Sequence, residues 1–201
     1  MYAAKKVHVF FVSLITHDRF GMFIHWGLYA QPARPERVKG WERMNDEQYQ
    51  PYFELFNPDM FDLKTWAKQA KAEGMKYAVL TTKHHEGFCL FDSRYTDYKS
   101  TNTKAKRDLV QEYVNAFRAE GIKIGFYYSL IHRHHPDCTV EGLQIRELLT
   151  NYGKIDILWL DFLYPNANAQ GKGRNNRGSV ELLKMIRRLQ PGIIVDNRLE
   201  R

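Results

Sequence analysis

The most constraining feature of this sequence is a repeated alternation of short apolar runs with longer segments of helical periodicity. Short apolar runs are typical of buried strands, and apolar residues three and four positions apart are typical of amphipathic helices. The alternation predicts an α/β protein built on a parallel sheet. The predicted strands are 20–26, 77–82, 122–129, 155–160 and 193–197, and the predicted helices are 59–73, 108–120, 140–152 and 179–189.

The ends of the predicted helices carry their own signals. Asp59 and Ser179 stand where a helix would profit from an N-cap, because their side-chain oxygens can accept from free backbone amides. Gly74, Gly121 and Gly153 each follow a predicted helix, at a position where a residue that tolerates positive φ ends the helix at low cost. This repeated order of helix, glycine and strand supports a fold built from βα units.

Five βα units fit either a doubly wound open sheet or part of an eight-stranded barrel. No Gly-x-Gly-x-x-Gly sequence follows a predicted strand, and no phosphate-binding glycine-rich loop is present, so the usual reason for an open sheet is missing. The barrel is therefore favoured, and an open sheet stays the alternative from the residues alone. Residues 1–17 form an atypical N-terminal segment.

Composition excludes several function classes. The net charge of +7 is dispersed along the 201 residues, so a nucleic-acid partner is not expected. No apolar run approaches the ~18 residues of a membrane-spanning helix, so no membrane partner is expected either. The two cysteines, Cys89 and Cys138, cannot form a disulfide framework and lack the paired spacing of a zinc site. We expect both to be free thiols.

Polar and aromatic side chains stand at the end of every predicted strand. Ligands bind at the carboxyl ends of parallel strands, so five such ends together indicate a functional site. Asp161 follows an almost wholly apolar strand, and a carboxylate at that tip suits a nucleophile. The neighbouring His84 and His85 can serve one site only if the second lies on a loop, which Gly87 would permit. The strand-end sequences are His25-Trp26-Gly27, Thr82 to Gly87, Tyr127-Tyr128-Ser129, Trp159-Leu160-Asp161 and Asp196-Asn197-Arg198.

A metal site is the competing interpretation of these histidines. A second group of potential ligands follows the third strand, but it shows neither the i, i+4 helical pairing nor the Cys-x-x-Cys spacing of common sites. A metal-dependent hydrolase therefore stays the weaker alternative, and no metal is predicted. The second group is His132, His134, His135, Asp137 and Cys138.

Five blocks of the sequence form an ordered set along the chain. They are Arg19 to Gly27, Phe56-Asn57-Pro58, Lys83-His84-His85-Glu86-Gly87-Phe88, Gly125 to Ser129 and Ile157 to Asp161. The blocks and their order resemble the α-L-fucosidases of bacteria and animals, glycoside hydrolase family 29, and the block from Lys83 to Phe88 is the most specific. The resemblance runs from about residue 18 to the end and implies an incomplete (β/α)8-type TIM barrel, with about five βα units over residues 18–201.

The resemblance implies hydrolysis of terminal α-L-fucose from fucosylated glycans, with retention through a covalent glycosyl-enzyme and without a cofactor. It implies that Asp161 is the catalytic nucleophile. It also implies substrate-binding roles for His25, Glu36, Trp41, His84, His85, Tyr128 and Arg198. Relatives commonly carry Glu-Trp after the first strand, whereas here Arg37 follows Glu36 and Trp41 stands four residues later.

The resemblance places the acid/base carboxyl of these enzymes well beyond the strand-five arginine. Because the chain ends at Arg201, we expect a truncated barrel of impaired activity. A non-catalytic fucose-binding pseudoenzyme is the alternative from another class. Open sheet edges favour pairing, so a homo-oligomer is a further expectation. The compartment and the fucosyl linkage stay open.

Overall fold

The computed structural model describes residues 17–130, 139–161 and 177–196. In that part of the chain, five parallel strands form one sheet in the order β1-β2-β3-β4-β5. A doubly wound sheet reverses its strand order at a switch point, whereas a barrel keeps sequence order. The sequential order therefore fits the predicted part of a barrel. The strands are β1 (Gly21–Ile24), β2 (Tyr77–Lys83), β3 (Lys123–Ser129), β4 (Ile157–Asp161) and β5 (Ile194–Val195).

All four predicted helices are present, and they connect the strands in the predicted order. Two short helices between β1 and the first predicted helix were not expected from the sequence. Single turns of 3-10 helix lie at Leu28–Ala30 and Ser100–Asn102. The α-helices are α1 (Val38–Trp41), α2 (Asp46–Glu54), α3 (Leu63–Ala72), α4 (Leu109–Ala119), α5 (Thr139–Asn151) and α6 (Arg177–Leu189).

Both predicted N-caps are wrong. The cap of α3 is Asp62, whose side chain accepts from the Thr65 backbone amide at 3.0 Å. Asp59 lies too early because Phe61 stacks on Trp26 with ring centroids 4.4 Å apart, and this contact belongs to the loop before the helix. Ser179 lies inside α6, which begins at Arg177.

The predicted glycine C-caps are confirmed. Gly74, Gly121 and Gly153 have φ values of 81°, 71° and 72° directly after α3, α4 and α5. A side chain at this φ would meet the backbone, so glycine ends each helix and turns the chain toward the next strand. The three strands that follow these turns, β2, β3 and β4, form the centre of the sheet.

The two faces of the sheet have different roles. Alternate strand residues such as Leu80, Phe126 and Leu158 pack in the main core together with residues of α3 to α6. The opposite face has a small cluster of its own, centred on Val79, Tyr127 and Ile157. The helices therefore cover one face, as they do on the outside of a barrel, and the second face corresponds to the barrel interior.

The described helices include none that is both long and apolar enough to cross a bilayer.

The interior face is tightly packed at Gly125, in the middle of β3. A Cβ added there would lie 2.7 Å from Val79 Cγ2 and 2.9 Å from the Ala78 carbonyl oxygen. We expect Gly125→Ala to lower the free energy of unfolding by about 1–3 kcal/mol, because the strands must separate to admit the methyl group. Urea unfolding measures the effect.

Gly142→Ala is the matched control. Gly142 lies within α5, and nothing lies within 4 Å of an added Cβ. Alanine there should raise the free energy of unfolding by up to about 1 kcal/mol through its helix propensity. Equal stability of the two variants would contradict the packing that we describe for β3.

Candidate active site

The carboxyl ends of the first four strands bring their polar side chains to one edge of the sheet. His25 follows β1, His84 and His85 follow β2, Tyr127 lies near the end of β3, and Asp161 is the last residue of β4. The sequence predicted this convergence from the strand ends alone. The structure brings the five side chains into one continuous group of contacts.

Asp161 is held by the neighbouring strand. The Tyr127 hydroxyl donates to Asp161 Oδ2 at 2.6 Å. The pairing of Tyr127 with Trp159 and of Ser129 with Asp161 places the two side chains on the same face of the sheet. Tyr127 is itself buried, so this hydrogen bond fixes the orientation of the carboxylate at the strand tip.

Tyr128, the tyrosine predicted to bind substrate, lies on the other face of β3. Its side chain is fully buried in the main core, and its hydroxyl donates to Gln144 Oε1 at 2.6 Å. Successive side chains of a strand point to opposite faces, so only one of the two adjacent tyrosines can face Asp161. The structure therefore puts Tyr127, not Tyr128, in the site.

A β-bulge in β2 explains how two consecutive histidines reach the same site. Thr81 pairs with Tyr127 and Lys83 with Tyr128, so Thr82 is an extra residue. The bulge turns Lys83 to the helix side, where its ammonium lies 4.5 Å from the Tyr128 ring centroid. The chain leaves the strand immediately afterwards.

His84 and His85 both lie beyond the end of β2, as one of the sequence interpretations required. The Gly87 amide donates to the His84 carbonyl at 3.1 Å, and Gly87 has a φ of 90°, which closes a tight turn. The two imidazole rings pack with their centroids 4.1 Å apart. The turn therefore directs both rings into the site.

The turn is anchored by Cys89, which bridges to Lys83 on one side and to Lys99 on the other. The Cys89 thiol is free, as expected from the sequence, and the structure shows that it is fully buried. Burial raises its pKa to about 12, which makes the thiolate rare at neutral pH. Cys138 lies outside the described residues.

His85 joins the bulged strand to Asp161. Its Nδ1 lies 2.7 Å from Ser129 Oγ, and its Nε2 lies 3.4 Å from Arg37 Nη2 and 3.8 Å from Asp161 Oδ2. The sequence places Ser129 at a strand end and Arg37 after Glu36, but it predicted a role in the site for neither. The signal for Ser129 was available, because it lies two residues beyond Tyr127 and therefore on the same face.

His25 and His84 form the opposite side of the site. His25 Nε2 lies 3.2 Å from Glu36 Oε2, and His25 Nδ1 lies 2.7 Å from the Tyr29 hydroxyl. His84 Nδ1 lies 3.1 Å from Glu86 Oε2, and the His25 and His84 ring centroids are 5.0 Å apart. The structure places Glu36 against His25, together with Tyr29, and places Glu86 against His84, while the substrate-binding role of Glu36 stays a prediction.

The pKa of His25 is lowered from its ordinary value. Burial of the imidazole is the largest cause, followed by the neighbouring His84, while Glu36 and Glu86 act in the opposite direction. Burial disfavours the charged imidazolium, so the neutral ring is the favoured form near neutral pH. A neutral imidazole can both donate and accept hydrogen bonds.

Two aromatic rings that the sequence analysis did not single out border the site on the interior face. Phe23 lies 5.7 Å from Trp159 and 6.0 Å from Tyr127, measured between ring centroids. The side chains of Phe23 and Trp159 stay 43% and 40% exposed. They offer an apolar wall of two rings, packed edge to face, beside the polar groups.

Two predicted substrate-binding residues are not placed in the site. Trp41, at the end of α1, is 74% exposed, and among the described residues it is not part of the group around Asp161. Arg198 lies outside the described residues, as do His132, His134, His135, Asp137 and Cys138 of the alternative metal site. Within the described residues, the group with metal-ligand geometry is instead His25, Glu36 and His84.

A family model for alpha-L-fucosidase matches residues 12–201 of the chain. The chain belongs to the α-L-fucosidase family. Tissue alpha-L-fucosidase of Mus musculus is 36% identical over 180 residues, which cover 74% of this chain and 40% of the mouse protein. Plasma alpha-L-fucosidase of Homo sapiens is 35% identical over 136 residues, which cover 59% of this chain and 29% of the human protein.

Solved structures of this family share the fold. Alpha-L-fucosidase isoenzyme 1 from Paenibacillus thiaminolyticus superimposes with a TM-score of 0.86 at 52% identity, over 94% of this chain and 50% of that one. AlfC from Lactobacillus casei, in complex with its α-L-fucose product, gives a TM-score of 0.83 at 27% identity over 94% of this chain and 71% of that one. The chain thus spans 50% of the length of the Paenibacillus protein and 40% of the mouse protein.

The lowered pKa of His25 predicts a pH dependence of stability. Unfolding frees His25 to bind a proton near its ordinary pKa of about 6.5, whereas the folded state resists protonation. Below that pH the unfolded state binds more protons, so the free energy of unfolding should fall as the pH falls from 7.5 to 5.5. Urea unfolding at both pH values measures the change.

His25→Gln should reduce this loss of stability. His17→Gln is the control, because it removes an exposed histidine that precedes β1 rather than following it. An identical pH dependence in His25→Gln and in the unmodified protein would contradict the prediction.

Proposed function

We propose that this site binds a terminal α-L-fucosyl residue and that Asp161 attacks its anomeric carbon in a retaining double displacement. The observation that carries the proposal is the 2.6 Å hydrogen bond from Tyr127 to Asp161 Oδ2, at a strand tip surrounded by three histidines. Membership of the α-L-fucosidase family supports the same reaction.

In the first step, an Asp161 oxygen forms a bond to the anomeric carbon while the bond from that carbon to the leaving oxygen breaks. The leaving oxygen takes a proton from a separate acid/base carboxyl, which the resemblance places beyond residue 198, and the sugar stays on the enzyme as an ester of Asp161. In the second step, the acid/base carboxylate takes a proton from water while the water oxygen attacks the same carbon, the ester bond breaks, and the Asp161 carboxylate is restored. Two inversions give net retention.

The histidines suit recognition of sugar hydroxyls. His25, His84 and His85 each have one ring nitrogen held by a protein oxygen, from Tyr29, Glu86 and Ser129 respectively. Fixed rings hold their second nitrogens at defined positions, which favours directional hydrogen bonds to hydroxyl groups. For His25 and His85 a sugar hydroxyl would share or replace the present Nε2 contacts with Glu36 and Arg37. The apolar wall of Phe23 and Trp159 would cover the apolar side of the sugar.

Two further carboxylates lie near the site, and we assign both to binding. Glu36 contacts His25 Nε2, and Glu86 is buried against His84 Nδ1. A retaining enzyme needs an acid/base about 5–5.5 Å from the nucleophile, and both side chains already serve histidines. The role of Asp161 can be tested without an acid catalyst.

The test is covalent labelling by 2-deoxy-2-fluoro-α-L-fucosyl fluoride. Attack by Asp161 forms the bond to the anomeric carbon and expels fluoride, which leaves without protonation, so no acid catalyst is needed. We expect one sugar per chain, located on the peptide that contains Asp161 by mass spectrometry. Asp161→Asn should abolish labelling, because an amide is a poor nucleophile.

Asp59→Asn is the matched control, since Asp59 is exposed and lies far along the chain from the strand tips. It should be labelled at the rate of the unmodified protein. Labelling of Asp161→Asn at that rate would disprove the proposed nucleophile. Binding of L-fucose by calorimetry without any labelling would instead support the fucose-binding pseudoenzyme.

The two adjacent tyrosines give a second test. Tyr127→Phe removes the hydrogen bond to the Asp161 carboxylate, and such charge-assisted bonds contribute about 1.5–3 kcal/mol. We therefore expect labelling to slow by about 10- to 100-fold. Tyr128→Phe removes the buried bond to Gln144 and should lower the free energy of unfolding by about 1–3 kcal/mol, with little change in labelling.

Labelling rates are compared at 20 °C, where both variants are checked for folding by circular dichroism. The reverse pattern, with slow labelling in Tyr128→Phe and normal labelling in Tyr127→Phe, would show that the strand faces are assigned wrongly.

A further inference from the structure

We propose that His25, Glu36 and His84 form a binding site for a divalent transition-metal ion of the Zn²⁺ class. The ion would occupy the mouth of the site when no sugar is bound. It would act as an inhibitor, with no part in the two-step reaction described above.

The spacing of the donor atoms carries the first part of the argument. His25 Nε2 and Glu36 Oε2 are 3.2 Å apart. Zinc bonds of about 2.0–2.1 Å in tetrahedral geometry hold two donors about 3.3 Å apart, so this pair already has the required separation. One ligand atom from each of His25, Glu36 and His84 lies within 4.8 Å of the other two. A small rotation of a side chain would close the remaining gap.

The partners of the two imidazoles carry the second part. A metal-bound histidine almost always has its other ring nitrogen held by a carboxylate, a carbonyl or a similar oxygen. Here Tyr29 holds His25 Nδ1 at 2.7 Å, and the Glu86 carboxylate holds His84 Nδ1 at 3.1 Å. Both contacts leave Nε2 as the coordinating nitrogen. The Tyr29 hydroxyl can donate or accept, so it fits either tautomer of His25.

The burial and the charge of the three ligand residues also suit a divalent metal ion. His84 is buried and packs against the His85 ring, so its position is constrained. The side chains of His25 and Glu36 are 32% and 47% exposed, so an ion can enter from solvent and Glu36 can adjust to it. Glu36 as a ligand and Glu86 behind His84 together provide two negative charges to balance the ion.

The inhibitory role rests on the proposed function, because His25 and His84 are also proposed to contact sugar hydroxyls. A metal ion and a fucosyl group would then exclude each other. Metal binding itself does not depend on that assignment, and the two can be tested separately.

The direct test is titration of the purified chain with ZnCl₂ by calorimetry and with CoCl₂ by visible absorption. The sequence has three more histidines at 132, 134 and 135, outside the described residues, so the parent protein for the titration carries alanine at these positions. We expect one ion per chain and the visible d-d bands of a cobalt ion bound by imidazole and carboxylate. No stoichiometric binding to the folded parent would overturn the proposal.

Three variants of the parent locate the site. His84→Ala and Glu36→Gln remove ligands and should each weaken zinc binding by at least about 10-fold. Glu86→Gln removes only the partner of His84. It should weaken zinc binding by about 10- to 100-fold, which is the range typical of such partners. An unchanged zinc affinity in His84→Ala would overturn the proposal.

Two matched controls make the same chemical changes elsewhere. His17→Ala removes an exposed histidine before β1, and Glu54→Gln changes an exposed carboxylate at the end of α2. Both should bind zinc like the parent. A loss of affinity in these controls equal to that in the site variants would show non-specific surface binding and overturn the proposal.

Competition separates this proposal from the proposed function. L-fucose should raise the apparent dissociation constant of zinc, and zinc should slow labelling by the fucosyl fluoride. Zinc binding that follows the variants but does not respond to fucose supports the metal site and contradicts the sugar assignment of His25 and His84. Fucose binding in a parent that binds no zinc supports the proposed function and overturns the metal site.

Discussion

The register between β3 and β4 is the constraint on which the rest of the site depends. It places Tyr127 and Asp161 on one face, so the tyrosine hydroxyl reaches the carboxylate across adjacent strands. A shift of one residue would exchange the two faces of a strand, putting Tyr128 toward the site and Tyr127 into the main core. Gly125 helps to keep β3 in register with both neighbouring strands, because a Cβ there would lie 2.7 Å from Val79 Cγ2 of β2 and 3.2 Å from Ile157 Cβ of β4.

Much of this architecture could be predicted from the sequence because it arises from local signals. The apolar strand runs, the periodic helices and the glycines at 74, 121 and 153 are each set by a few neighbouring residues, and all were found in the expected order. The convergence at the strand ends followed from the general behaviour of parallel sheets. Helix starts were harder, since Asp59 and Asp62 are both plausible caps, and only the contact of Phe61 with Trp26 separates them.

The sequence could not decide which of Tyr127 and Tyr128 faces Asp161, and the reason is physical. β3 is buried on both faces, so apolar and aromatic residues occupy both sets of alternate positions and the period of two carries no polarity signal. The bulge at Thr82 is a similar case, because its presence depends on the partner strand rather than on Thr82 itself. The start of α2 is the opposite case. The helix was not predicted, but Asn45 and Gln48 form a reciprocal capping box that the sequence already contains.

The buried thiol of Cys89 gives this protein a built-in reporter of how often the turn that carries His84 and His85 opens. Cys89 bridges to Lys83, directly before His84, so a reagent reaches the sulfur only when this segment separates from the sheet. The rate of alkylation then reports how often the turn opens, in the way that amide exchange reports local unfolding. Mass spectrometry of the peptides distinguishes alkylated Cys89 from alkylated Cys138. The opening of this turn can therefore be measured without adding a probe.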